Sequence, residues 1–138
     1  MNPIEEAFVN TFVQKSRRER ANLELGSESR RGRFLNRLCH DFAGIFEARY
    51  LQPLVEPQDG VSLLKMLEKL GTKKSCYVIS CNEAVDGKQI PLVDAIHAVM
   101  GYGLPSIIIC APKSLAYFEA EQEKGPPPRY LLIKNGGT

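Results

Sequence analysis

The sequence has no tryptophan, only two histidines, no C-x-x-C pair of cysteines and no long apolar run. Each absence removes a class of protein. Zinc sites draw on His and closely spaced Cys. Cys39, Cys76, Cys81 and Cys110 with His40 and His97 offer no such set, so no metal is expected. Cys76 and Cys110 fall in the most apolar stretches, where Cys packs as a small hydrophobe. All four read as reduced thiols, which suits the cytosol. The longest apolar run, 107–111, is strand-sized and far short of the roughly 18 residues a membrane span needs. Glu5 and Glu6 stand where a secretory leader would be basic and then apolar. Residue 2 is Asn rather than the Gly that myristoylation needs, and 135–138 carry no prenylation Cys. The expectation is a cytoplasmic protein with no membrane partner.

The sequence also lacks a strong excess of one charge. Net charge is +2 across 138 residues, too mild to name a partner. Its distribution says more. Residues 15–37 hold eight basic residues against three acids, whereas 51–138 hold nine of each. The apolar fraction is 43% and the charged fraction 25%, enough to bury a core and against wholesale disorder. The length fits one α+β domain over 1–138, with a helical hairpin at 1–52 and a mixed α/β part at 61–135.

The first half reads helical. Asn2-Pro3 supplies a cap and a first helical residue, with Glu5 and Glu6 in the first turn. Ile4, Phe8 and Phe12 form an apolar stripe at helical spacing, and the helix is expected to run polar to Leu25 and stop at Gly26. A second helix follows, with Phe34, Leu35, Leu38, Cys39, Phe42, Ile45, Phe46 and Tyr50 on its buried face, ending before Pro53. Residues 53–60, with two prolines and Asp59-Gly60, read as a loop. Leu63, Leu64, Met66, Leu67 and Leu70 mark a third, short helix.

The second half changes period. Strands are expected at 76–80, 106–110, 115–121 and 130–134, with a helix opened by Pro91 between the first two. The resulting architecture is the hairpin and third helix packed on a small mixed sheet of three or four strands. The segment 76–111 is read as a right-handed parallel β-α-β crossover. The last strand is expected at the sheet edge, where it or the first two helices would support a homodimer. Gly136-Gly137 reads as a frayed tail.

A parallel crossover would bring two loops to one carboxyl edge, where ligands bind in α/β units. Asn82, Glu83 and Asp86 would meet Lys113 and Ser114 there, with Lys134 nearby. That mixed set suits a small anion or acid–base work. A second candidate surface is basic: Arg17, Arg18, Arg20, Arg30, Arg31 and Arg33 across the hairpin could grip phosphates of a nucleic acid or an acidic protein. Glu19, Glu24 and Glu28 interrupt it, and Glu24 is placed to pair with Arg20.

Other motifs fail on geometry. The glycines of 101–106 close a helix instead of opening one, the reverse of a phosphate loop. His40-Asp41 lacks the further His ligands of a metal phosphohydrolase, and His97 borders an apolar helix face. Glu121-Gln122-Glu123-Lys124 has the wrong spacing for a nuclease acid-x-Lys element. No catalytic set and no cofactor motif remain. The expected function is a small non-enzymatic protein-interaction or regulatory protein of the immunity type. Nucleic-acid binding through 15–37, and a small-molecule or enzymatic site around 82–86 and 113, stand as alternatives.

Overall fold

The structure, a computed structural model, describes residues 2–56 and 59–134. The tail expected to fray at Gly136-Gly137 lies outside these residues, as does Pro57 of the expected loop. The α+β class holds, with five α-helices and six strands among the described residues.

Helix α1 (Pro3–Phe12) begins as its sequence dictates. The Asn2 side chain accepts hydrogen bonds from the backbone N–H of Ile4 (2.8 Å) and Glu5 (3.1 Å). It does not continue to Leu25. Val13 turns extended and bridges Phe46, and the Gln14 N–H donates to the Ile45 carbonyl at 2.8 Å. Phe8, Val9, Phe12 and Val13 are all fully buried. The polar stretch after Val13 offers no comparable face, so the chain folds back. A 3-10 turn at Lys15–Arg17 leads into α2 (Arg18–Leu25). Helix α3 (Arg31–Ile45) is kinked at Asp41, whose carboxylate accepts from the Gly44 N–H at 3.2 Å and caps the last turn.

A second correction follows at once. Beyond a 3-10 turn at Ala48–Tyr50, residues expected in helix and loop form strand β1 (Leu51–Leu54). Pro53 is tolerated there because β1 is an edge strand, paired on one side only. Helix α4 (Gly60–Lys69) is capped by Asp59, which accepts from the Ser62 N–H at 2.8 Å. Then come β2 (Ser75–Ser80), β3 (Gln89–Pro91), α5 (Leu92–Val99), β4 (Ser106–Ala111), β5 (Leu115–Glu119) and β6 (Arg129–Ile133).

The sheet has the order β1-β6-β5-β4-β2-β3, and every neighbouring pair is antiparallel. This overturns the mixed three- or four-stranded sheet and the parallel pairing of the strands at 76–80 and 106–110. The cause is β3, which folds back on β2 before α5 begins. β3 and β4 both oppose β2, so they run the same way, and α5 connects them with β2 lying between. The last strand is not an edge either. β6 sits between β1 and β5, so it offers no free ladder for a homodimer.

Strand alternation sorts side chains onto two faces. Tyr77, Ile79, Ile107, Ile109, Ala116, Phe118 and Leu132 pack under α1–α3. Cys76, Val78, Ile108, Leu115, Tyr117 and Leu131 pack under α4 and α5. The molecule therefore has three layers, helices–sheet–helices, which explains why its strands read as nearly continuous apolar runs. On the α3 side Phe118 meets Phe42 (5.2 Å between ring centroids), Phe46 (5.1 Å) and Tyr130 (6.0 Å), joining helix to sheet through aromatic contacts. Among the described residues no helix is long and apolar enough to cross a membrane.

Candidate functional site

The two candidate surfaces meet each other. Arg31, from the basic set, opens α3. Asp86, from the sheet-edge set, lies in the loop between β2 and β3. Arg31 Nε and Nη2 donate to the two Asp86 carboxylate oxygens at 2.6 and 2.9 Å, a bidentate fork. Nη2 also lies 2.7 Å from Glu5 Oε2 on α1, and Nη1 donates to the Leu25 carbonyl at 3.1 Å. Tyr77 of β2 donates its hydroxyl to Glu5 at 2.7 Å, and Asp86 Oδ1 accepts from the Ser80 N–H at 2.9 Å. The turn that delivers Asp86 depends on Gly87, whose φ of +72° is the left-handed region that favours glycine.

This cluster is a joint between helical layer, sheet and loop. The side chains of Glu5, Arg31 and Asp86 are 4%, 16% and 17% exposed, so the guanidinium is spent internally. Burial alone would lower the Arg31 pKa, but hydrogen bonds to Asp86 and Glu5 raise it. Burial, with the Glu5 carboxylate beside it, pushes the Tyr77 hydroxyl up. Neither Arg31 nor Tyr77 is therefore poised to exchange a proton at neutral pH.

The antiparallel β2–β4 register separates the rest of the expected small-molecule site. Ser80 faces Ser106, so the loop holding Asn82, Glu83 and Asp86 lies beside the start of β4. Lys113 and Ser114 follow its other end. They close the β4–β5 turn, where the Ser114 N–H donates to the Ala111 carbonyl at 3.0 Å and the Ser114 carbonyl accepts from the Lys134 N–H at 2.9 Å. Asn82 folds its own loop, accepting from the Ala84 N–H at 3.1 Å and donating to the Ala98 carbonyl at 3.3 Å. Glu83 is exposed at the rim of a cleft of about 400 Å³ that Arg31, Cys39 and Cys81 also line.

The basic hairpin spends most of its charge in the same way. Arg17 lies 3.9 Å from Asp41, Arg18 donates to the Val13 carbonyl at 2.8 Å, and Arg20 lies 3.5 Å from Glu24. Arg37 also forks onto Glu24. Arg30 and Arg33 are exposed and make no ion pair among the described residues. Burial alone would raise the Glu24 carboxyl, but Arg37 and then Arg20 outweigh it and hold it below its ordinary 4.5. A folded pKa below the unfolded one means stability that is present above 4.5 and lost as pH falls through the folded value. Glu24→Gln is expected to flatten that acid limb. Urea midpoints measured from neutral pH downward should fall less steeply for the variant than for the parent.

Local reading missed two features. One is a third buried ionic group beneath the α5 side. Glu119 is fully buried and accepts from Arg129 Nε (3.1 Å), the Tyr117 hydroxyl (2.9 Å) and the Gly101 N–H (2.9 Å). In sequence, Glu119 alternates with Glu121, a spacing that fits a solvent-facing side of a strand as well as a buried one. The other is a groove of about 530 Å³ between α4 and α5, walled by Val61, Leu64, Val93, Ile96 and Met100, with Asp59, His97 and Arg129 at its borders. Val61 and Val93 are 65% and 57% exposed. Its sequence signal was an apolar residue beyond the buried face of each helix. His97 itself is exposed. No group of three metal-ligating side chains occurs among the described residues. The chain matches no family model, no curated protein and no solved structure.

Proposed function

We propose that this chain is a non-enzymatic protein-interaction or regulatory protein of the immunity type, and that it engages its partner through the α4–α5 groove. The observation that carries this reading is the pair of exposed valines, Val61 and Val93, at the borders of one apolar groove. Scattered surface apolars mean little, but apolars grouped at a concavity mark contact sites. Charge complementarity describes the partner. Lys65, Lys69, Lys73 and Lys74 are exposed on α4 and just after it, and make no ion pair among the described residues. Lys65 and Lys69 line a second cleft on α4, with Met66 and Leu70, so the partner we infer is an acidic segment whose apolar anchors fill the groove and whose charges reach these lysines beside it. The first-half arginines, by contrast, are largely engaged within the fold, which leaves Arg30 and Arg33 as the support for the nucleic-acid alternative.

A photoreactive amino acid placed at position 61 or 93 in the native cell tests this. The expected result is a discrete protein adduct from both positions, lost when Lys65 and Lys69 are changed to Glu, and none from position 29 at the far helical layer. No adduct from 61 or 93 would sink the reading. An adduct removed by nuclease but not by protease would transfer support to the nucleic-acid alternative.

A further inference from the structure

Two of the four free cysteines, Cys76 and Cys110, lie on the neighbouring strands β2 and β4. The β2–β4 register runs Ser80↔Ser106, Ile79↔Ile107, Val78↔Ile108 and Tyr77↔Ile109. One further step along both strands sets Cys76 against Cys110. Both side chains join the same apolar cluster, on the α4–α5 face.

The hydrogen bonds define what kind of pair this is. Val78 turns both backbone groups toward the β3 side: its N–H donates to the Lys88 carbonyl at 3.0 Å, and its carbonyl accepts from the Gly87 N–H at 2.8 Å. Cys81 instead donates its N–H to the Pro105 carbonyl, on the β4 side, at 3.2 Å. Odd-numbered residues of β2 therefore bond toward β4, and even-numbered ones do not. Cys76 is a non-hydrogen-bonded position with respect to β4. At such positions opposed Cα atoms approach to about 4.5 Å, inside the roughly 4.4–6.8 Å span of disulfides. A β-bulge helps. The β4–β5 register slips between Ile109 and Ala111, leaving Cys110 without a partner residue on β5. Its backbone can adjust without breaking a matched pair on that side.

We propose that Cys76 and Cys110 form a cross-strand dithiol that peroxide converts reversibly into a disulfide, an oxidative modification site that staples β2 to β4. Cys110 is the less buried residue of the two, since Cys76 is only 3% exposed, and we take it as the first to react. Cys110 loses its proton and its sulfur attacks one peroxide oxygen, breaking the O–O bond and giving a sulfenic acid and one water. The Cys76 sulfur, deprotonated in turn, attacks that sulfur and expels the oxygen as a second water. Two thiols and one peroxide become one disulfide and two waters, a two-electron oxidation with peroxide as oxidant. Burial pushes the Cys76 thiol to about 12 and the Cys110 thiol to about 11, so both rest protonated at neutral pH and the pair is slow to react. Cys39 and Cys81 line the α3–β2 cleft on the opposite side and are the competing acceptors.

The test uses the full chain carrying Cys39→Ala and Cys81→Ala, which keeps only the cross-strand pair, treated with hydrogen peroxide. The expected result is loss of two hydrogen masses, a peptide linking Cys76 to Cys110, full reversal by dithiothreitol, and a higher melting temperature when oxidised. Adding Cys76→Ala should abolish the mass loss and leave oxygen addition at Cys110. Oxygen addition without mass loss in the parent double variant, or a linkage between two chains, would overturn the proposal. Should the double variant fail to fold, peptide mapping of the oxidised natural chain decides: a Cys76–Cys110 link supports the proposal, and Cys39–Cys81 as the sole product overturns it.

Discussion

Replacing Arg31 with Met is expected to lower the free energy of unfolding by about 3–5 kcal/mol, the cost of removing one partner from a buried ion pair. The side chain carries three tasks. It neutralises two carboxylates, Glu5 and Asp86, that are 4% and 17% exposed. It bonds the carbonyl that ends α2, and it ties α1 and α3 to the loop after β2. Methionine keeps much of the volume and none of the donors, so two carboxylates are left buried without their cation. A domain of this size holds about 5–15 kcal/mol in all, so the loss should be plain in urea denaturation. The double variant Glu5→Gln/Arg31→Met should recover part of it, because one of the stranded charges is gone. A loss below about 1 kcal/mol, the range of exposed pairs, would mean that water reaches the cluster.

Glu119→Ala is expected to cost a similar amount, about 3–5 kcal/mol. Glu119 is completely buried and Arg129 is 7% exposed, more enclosed than the Arg31 cluster. The carboxylate receives three hydrogen bonds, one from the Gly101 N–H just beyond α5. Removing it takes the acceptor from that N–H and from the Tyr117 hydroxyl, and leaves a cavity between sheet and helix. Glu119→Gln keeps the shape and one acceptor oxygen, so its loss should be smaller. Circular dichroism during chemical unfolding can rank the two. If Gln and Ala were equally damaging, charge and not hydrogen bonding would hold the site. Because Gly101 borders the α4–α5 groove, Glu119→Ala should also reduce crosslinking from position 93. Arg31→Met, on the opposite face of the sheet, should spare it.

Much of the secondary structure was legible. Phe34, Leu35, Leu38 and Ile45 mark α3 by spacing alone, and Asn2 opens and Gly26 closes a helix where the sequence places them, whereas Asp59, read only as part of a loop, caps α4. Four of the six strands lie close to the apolar runs that announced them. The misses share a cause. β3 is three residues long and ends in Pro91, and β1 is four residues long and contains Pro53. Such strands are defined by their partners and not by a pattern of their own. Val13 left the first helix because Phe46 was there to receive it, and nothing near Val13 records where Phe46 lies.

Composition, capping residues and hydrophobic period thus determined four of the six strands, most of the helical segments, the α+β class and the residues with chemistry to offer. Tertiary structure alone decided what those residues do. Arg31 and Asp86 each stood out in a separate candidate site, yet they lie 55 positions apart and neutralise each other. Strand direction, set by a three-residue return that periodicity cannot detect, placed Asp86 beside Arg31 and sent Lys113 to the far end of the sheet. Local preference acts over a few neighbouring residues, whereas an ion pair depends on distance in space. Only the assembled fold determines which charges lose their water and must find each other.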